Sequence, residues 1–267
     1  QICTRCVMDT SDKEITFNKN GICNHCLVAD KELPKYRFTP EKEKENLRRI
    51  KKKLLSNKKG EYDSILGLSG GVDSSYSAYL AWKMGLNPLC VHFDNGWNSN
   101  IALSNINKII DKTGFDLYTY VINWPEFKDL QRSFFKASVI DIEMLTDHAI
   151  FASLFRLRRK SKLKYVLSGT NYATEHGMPF SWLWSKMDKK NILSIQKRFG
   201  TLRIKSFPTM GYLRWELMVR FNLGGVFIEL LNNVNYVKNF AMEIIKREFD
   251  WEYYGGKHYE SIFTKFY

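Results

Sequence analysis

The chain has 267 residues, 44% of them hydrophobic, and a net formal charge of +13. That composition fits one sizeable packed core with a small appendage and excludes a disordered chain. No uninterrupted apolar run reaches the roughly 18 residues of a membrane-spanning helix, and the first residues lack the apolar stretch of a signal peptide. The positive excess attracts anionic partners, whether nucleic acid, nucleotides, nucleotide-sugars or an acidic protein, and does not choose among them. The start at Gln1 and the abrupt end after SIFTKFY fit a chain trimmed at one or both ends.

Residues 1–35 are polar and carry four of the five cysteines. CTRC and CNHC give C-x2-C-x16-C-x2-C, the spacing of two knuckles whose four thiolates close a tetrahedron around Zn²⁺. Cys3, Cys6, Cys23 and Cys26 are therefore expected to hold a structural zinc in a reducing, cytoplasmic setting, with a redox or iron–sulfur role as the alternative. His25 reads as a neighbour of the site or a surface residue. Residues 36–60 follow as a basic connecting helix: within Glu41–Gly60, Leu47, Ile50 and Leu54 recur at helical spacing, and the lysines form its solvated face.

Residues 61–180 switch to strand–helix alternation. Strands are expected at Tyr62–Leu68, Pro88–Asp94, Leu117–Ile122 and Tyr165–Ser168, and helices at Val72–Met84, Ser99–Lys112, Trp124–Ala137 and Thr146–Lys162. Short apolar strands separated by helices imply an α/β fold, an open parallel sheet of Rossmann-like type with both faces covered. Ligands in such sheets bind beyond the carboxyl ends of the strands. LSGGVDSS (Leu68–Ser75), HFDNGW (His92–Trp97) and SGTNYATE (Ser168–Glu175) each follow a strand and should meet at that edge. Cys90, inside PLCVHF, reads as core. Residues 181–267 read as a mainly helical substrate or partner region, with Tyr212–Phe221, Val226–Leu231 and Val237–Phe249 helical. Trp182 and Trp184 read as core or partner surface.

The turn between the first strand and its helix carries the chemistry. Gly70 and Gly71 free backbone N–H groups to face an anion at a helix N-terminus, and Ser69, Ser74 and Ser75 add hydroxyls. No lysine opens the helix, so this is not a Walker A loop. Asp73 beside a bound phosphate would repel it without an intervening cation, which points to Mg²⁺.

SGGVDSS resembles the PP-loop of the ATP pyrophosphatases, a superfamily that includes NAD synthetase, GMP synthetase, argininosuccinate synthetase and tRNA thiolation enzymes. The resemblance implies cleavage of ATP between the α and β phosphates and adenylation of a carbonyl oxygen. GTNYATE resembles the glycine-threonine segment of NAD synthetase; this implies Gly169 and Thr170 near ATP and Glu175 sharing Mg²⁺ with Asp73. HFDNGW is similar to the segment whose backbone faces adenine, which places Phe93 and Asp94 at the nucleotide.

CTRCVMDTSD, GICNHC, LSGGVDSSY, MLTDHAIFASLFRLRRK, YVLSGTNYATE and GGKHYESIFTKF together resemble the N-acetyl sugar amidotransferase family of bacterial surface polysaccharide (lipopolysaccharide O-antigen) biosynthesis. The resemblance implies conversion of an acetamido group on a nucleotide-sugar into an acetamidino group, with no nucleic-acid partner. Ammonia would come from a separate glutaminase paired with a cyclase-like protein, since no cysteine here sits in a glutaminase context. Asp147 and His148, at a helix start, are candidates for acid/base work or substrate binding. His176, Lys257 and His258 are candidate substrate contacts, with Lys257 a possible catalytic cation. A tRNA thiolation enzyme and a zinc-ribbon binding module remain the rival readings; the first needs cysteines beside the loop, and the second leaves Asp73 and Glu175 without a purpose.

Overall fold

The computed structural model describes residues 1–175, 179–182, 185–221, 225–256 and 259–266. The N-terminal segment makes two small antiparallel bridges, Ile2 with Asp9 and Phe17 with Cys23, and leads into α1 (Asn24–Glu32). A 3-10 turn at Leu33–Tyr36 connects to α2 (Pro40–Leu55). Thr39 caps α2 by accepting from the Lys42 N–H at 3.3 Å, and Pro40 fits the first helical turn because its missing N–H would have had no partner there. The helix buries Ile50 and Leu54 in the main core, so the connecting segment is part of its wall.

The alternating region follows: β1 (Ile65–Gly67), α3 (Val72–Lys83), β2 (Leu89–Asp94), α4 (Asn100–Thr113), β3 (Leu117–Val121), α5 (Trp124–Lys136), α6 (Met144–Ser161) and β4 (Tyr165–Ser168). Side-chain caps explain several starts: Ser99 accepts from Ala102 N at 3.2 Å and Asn123 from Glu126 N at 3.2 Å. β1 is shorter than its apolar run suggested, because Asp63 is turned in to accept the Asn87 N–H and Tyr62 bonds Asp116. The chain continues through a turn of helix, α7 (Tyr172–Glu175), a 3-10 turn at Phe180–Trp182, α8 (Lys189–Phe199), α9 (Tyr212–Arg220), β5 (Val226–Glu229), a 3-10 turn at Leu230–Asn233, α10 (Lys238–Phe249) and α11 (Ile262–Phe266).

The five strands form one parallel sheet in the order β3-β2-β1-β4-β5. Leu66 lies beside Cys90 on one side and Leu167 on the other; Phe93 lies beside Tyr120. Alternate residues go to opposite faces. Leu66, Cys90, Leu167 and Ile228 pack with Ile50 and Leu54 of α2, Leu80 of α3, Ile106 and Ile109 of α4 and Ile245 of α10. Ile65, Val91 and Val166 face Leu154 and Leu157 of α6. Truncating a fully buried member such as Leu66 to Ala would cost about 2–5 kcal/mol. From β1 the chain steps outward to β2 and β3, and α6 then returns it to place β4 on the other side of β1. This reversal opens a crevice beyond the carboxyl ends of β1 and β4.

One local expectation needs correction, and one helix was not foreseen. Val226–Leu231 is not helical: Val226, Phe227 and Ile228 pair with Tyr165, Val166 and Leu167 as an edge strand, and only Leu230–Asn233 turns helically. A β-branched and aromatic triplet is too short to show a period and fits a pleated neighbour better than a helix. Lys189–Phe199 is a helix the sequence reading passed over; Asp188 caps it from Asn191 N at 2.9 Å, and Ile192 and Gln196 are buried at helical spacing.

Candidate active site and metal centre

The loop after β1 is held in shape before any ligand is considered. Gly70 has φ +77°, and a Cβ there would stand 2.3 Å from the Ala102 carbonyl oxygen. Trp251 fixes the loop from below by donating Nε1–H to Gly70 O at 2.9 Å. Ser74 Oγ accepts the Ser69 N–H at 3.2 Å, Ser69 Oγ accepts the Gly71 N–H at 3.3 Å, and Tyr254 Oη accepts the Val72 N–H at 3.4 Å. Three loop donors, the N–H groups of Ser69, Gly71 and Val72, are thus engaged only by long bonds to hydroxyls, which an anion could replace. Ser75 Oγ is buried with no partner among the described residues.

The loop after β4 meets α3 closely. A Cβ on Gly169 would lie 3.0 Å from the Asp73 carbonyl carbon and 3.1 Å from Ser74 N, so only glycine lets this loop reach the start of α3. Ser168 Oγ accepts the Thr170 N–H at 3.1 Å, and Asn171 Oδ1 accepts from Thr174 N at 2.9 Å, turning the chain so that Glu175 points back. One 290 Å³ cavity is lined by Ser69, Gly71, Asp73, Ser74, Gly169, Thr170 and Glu175, which sequence reasoning placed together, and also by Lys238, Tyr254 and Glu260, which it missed. Gly70 braces this loop from beneath. Asp73 accepts a hydrogen bond from Tyr236 Oη. Burial raises the Tyr236 phenol above its ordinary range, and the Asp73 carboxylate raises it further, so it stays a neutral donor. The tyrosines and Trp251 arrive from positions about 160 to 180 residues beyond the loop, with no local pattern to announce them.

A larger cavity of 840 Å³ adjoins the first between α6 and the β2–β3 part of the sheet. Phe93 stacks on Tyr120 at 5.4 Å and 4° on its wall. Asp94, by contrast, accepts from Gly96 N at 2.9 Å and Asn98 Nδ2 at 3.0 Å and so braces the HFDNGW turn. Trp182 lines the same cavity with a buried Nε1 that has no partner among the described residues, so it is a cleft wall and not the core or partner-surface residue expected. Asp147 lines both cavities and pairs with Lys186, which also lies 3.4 Å from Asp141. Burial opposes the Lys186 charge, but the two aspartates outweigh it and hold the amine above the usual lysine range.

His148 does not belong with Asp147 at the cavity. Its ring is fully buried; Nε2 accepts from Met210 N at 3.0 Å, so Nδ1 donates to Lys186 O at 2.7 Å. Burial lowers its pKa, and both nitrogens are occupied by backbone, which leaves none for proton transfer to a substrate. His148 staples the segment around Lys186 to the segment before α9; one residue of α6, about 100° of helix phase, separates it from the face on which Asp147 lines the cavities. His176, Lys257, His258 and Trp184 lie outside the described residues.

The four N-terminal cysteines converge as their spacing predicts. Their Sγ atoms all lie within 4.8 Å of one another, with Cys6 to Cys23 at 3.7 Å and Cys3 to Cys26 at 3.9 Å. A tetrahedron with Zn–S bonds of about 2.3 Å has edges of about 3.8 Å, so the cradle fits zinc. Burial alone would raise the Cys3 thiol, but N–H bonds from Arg5 and Cys23 overcome it and bring the pKa down to about 6; burial pushes Cys26 up. His25 is bound through Nε2 to Asp12 at 2.6 Å, and the other oxygen of Asp12 accepts from Ser181 Oγ at 2.5 Å. Cys90 is fully buried, and burial pushes its thiol up to about 12, so it is inert core as expected.

No protein-family model matches the chain. An uncharacterized protein of Methanocaldococcus jannaschii is 28% identical over 180 residues, which cover 67% of this chain and 60% of that protein. A glutamine-hydrolyzing GMP synthase of Baumannia cicadellinicola is 40% identical over 78 residues, 28% of this chain and 14% of that enzyme. The chain thus spans less than two thirds of these relatives. Among solved structures, NMN synthetase from Francisella tularensis aligns with 83% of this chain and 99% of its own at a TM-score of 0.40 and 15% identity. A U34-tRNA thiolase from Methanococcus maripaludis aligns with 94% of this chain and 89% of its own at 0.37 and 14%. Scores of this size decide nothing, and the open parallel α/β architecture stands on the strand order and register above.

Proposed function

We propose that the chain is an ATP-dependent amidotransferase of the PP-loop type that converts the acetamido group of an N-acetylated nucleotide-sugar into an acetamidino group. The observation that carries this reading is the single cavity in which the Ser69–Ser74 loop, Asp73 and the Gly169–Glu175 segment meet, with a roomier aromatic cleft beside it. The first cavity suits a nucleotide polyphosphate, and the second has the size and mixed lining of a small-molecule acceptor site. The local likeness to a glutamine-hydrolyzing GMP synthase supports ATP-driven amination as the reaction class. In this division of the chain, residues 1–35 form the zinc ribbon, 36–60 the connecting helix, 61–180 the nucleotide-binding domain and 181–267 the substrate or partner region.

An amide carbonyl resists direct displacement by ammonia. Its oxygen attacks the α-phosphorus of ATP, the α–β bridging bond breaks, and pyrophosphate leaves. Ammonia then adds to the activated carbon, AMP departs with the former amide oxygen, and an amidine remains. The loop N–H groups at Ser69, Gly71 and Val72 hold and orient the phosphates, and Lys238 places positive charge where pyrophosphate leaves. Asp73 and Glu175 would hold a magnesium ion, which supplies charge neutralisation on the departing pyrophosphate when bound. Tyr236 orients Asp73. Asp147, shared by both cavities, is positioned to accept a proton from the entering ammonia. No covalent enzyme intermediate is needed, and ammonia comes from a separate glutaminase.

The tRNA thiolation reading is weaker. It needs a reactive cysteine beside the nucleotide; the four N-terminal cysteines are gathered in their own cluster, and Cys90 is buried. The deciding experiment incubates the purified chain with ATP, Mg²⁺, ammonium and an N-acetylated nucleotide-sugar. AMP and pyrophosphate should appear only with the sugar, and the product should be lighter than the substrate by about one mass unit, NH for O. Sugar-independent turnover, or a product of unchanged mass, sinks the proposal.

A further inference from the structure

On the side of α6 turned away from the two cavities lies a third concavity of 510 Å³. Its lining comes from α6 (Ala152, Phe155, Arg156, Arg159, Lys160), from the backbone stretch Thr209–Met210, and from α9 (Arg214, Met218). Four cations surround it and no carboxylate lines it. None of the four pairs with a carboxylate among the described residues; Arg156 donates only to Thr209 O at 3.4 Å. The floor is apolar and rigid: Ala152, Phe155 and Met210 are buried, and Met210 N is held by His148.

The C-terminal turn of α6 accounts for some of this charge, since cations there complement the helix dipole. It does not account for Arg214. That residue sits in the first turn of α9, where a cation opposes the dipole and where no acidic residue compensates. Bringing it to face three other cations is unfavourable unless an anion enters. Arginine forks match phosphate oxygens two at a time. An apolar floor of this size beneath them matches a flat heterocycle, and a volume of this order is that of a small-molecule pocket, not of a flat polymer track.

We propose that the groove between α6 and α9 is a second ligand site that takes a nucleoside diphosphate, with its phosphates on Arg156, Arg159, Lys160 and Arg214 and its base over Phe155, Met210 and Met218. Asp147, Ile150 and Leu154 of α6 line the cavity at the Ser69–Ser74 loop, whereas Arg156, Arg159 and Lys160 lie on the opposite face of the same helix, so this ligand does not overlap the phosphates at that loop. The site stands independently of the reaction assigned above.

The test is an equilibrium titration of the full chain with UDP, and in parallel with ADP, at a saturating concentration of a non-hydrolysable ATP analogue. About one equivalent of diphosphate should bind beside the analogue. Arg159→Glu/Arg214→Glu should weaken it by about 100-fold and Arg159→Gln/Arg214→Gln by at least about 10-fold, with the analogue's affinity and the melting temperature of the milder variant unchanged. Inorganic pyrophosphate should bind more weakly than either nucleotide. The proposal fails if neither diphosphate binds, if both variants bind as the parent does, or if pyrophosphate binds equally well. It also fails if single-stranded RNA, with a steep salt dependence, is the only anion whose binding the variants abolish.

Discussion

Gly70→Ala puts the loop geometry to a quantitative test. The residue sits at φ +77°, where an L side chain costs about 1–2 kcal/mol. The added Cβ would also stand 2.3 Å from Ala102 O, whereas a relaxed carbon–oxygen contact is about 3.3 Å. Relief requires a backbone shift of about 1 Å, either of the loop or of the first turn of α4, whose capping bond from Ala102 N to Ser99 Oγ is at the same place. Strain and disturbed cap together should cost about 2–4 kcal/mol, read as a fall in melting temperature of about 5–15 °C. A 1 Å displacement of the phosphate donors should lower ATP-dependent turnover by about 100-fold. Calorimetric titration with a non-hydrolysable ATP analogue and a melting curve measure the two effects separately. A variant that melts within a degree of the parent and binds the analogue equally well would show that the loop does not need its left-handed glycine and refute the reasoning.

Chelation, or Cys23→Ser, should release about one zinc per chain by elemental analysis and expose residues 1–32 to protease; a metal-free chain with a resistant N-terminus contradicts the cluster reading. Asp129 Oδ2 accepts from Thr201 N and Leu202 N, and although burial opposes its charge these bonds hold its pKa at about 2, below its unfolded value. It therefore adds about 2 kcal/mol that is fully present above the unfolded carboxylate value and lost as pH falls through the folded one; Asp129→Asn should flatten the acid limb of urea midpoints measured against pH. His148 has its pKa depressed by burial, so its contribution is present above its unfolded value and lost as pH falls below it. His148→Asn should cost about 2 kcal/mol at neutral pH while leaving the pH profile of turnover unshifted; a shifted profile would return the histidine to the reaction. Trp182→Ala should raise the KM for the proposed acceptor sugar and leave that for ATP unchanged, and equal effects on both would remove it from the proposed acceptor cleft.

The parts legible in the sequence were those whose causes are local. β4 and the loops after β1 and β4 are specified by a few neighbouring residues, as are the cysteine knuckles. β5 escaped because four residues are too few to show a period, and its identity as a strand depends on β4 being there to pair with. His148 was misplaced because adjacency in sequence is not adjacency in space: one step along α6 carries the chain from the cavity wall at Asp147 into full burial. Tyr236, Trp251 and Tyr254 contribute to the loop through tertiary approach alone; the dense aromatic run WEYY at Trp251–Tyr254 was the one available hint.

Asp12 ties two distant pieces of chain with one carboxylate, His25 on one oxygen and Ser181 on the other. Ser181 is next to Trp182, whose indole walls the larger cleft. Anyone shortening this protein for crystallisation or expression would be tempted to discard the cysteine-rich head as a dispensable anchor. Its cysteines and apolar residues form a cluster of their own, apart from the core around the sheet, so such a chain should fold and pass ordinary quality checks. It would nevertheless have lost the tether on one wall of the proposed acceptor cleft, and any loss of turnover would be blamed on the wrong residues.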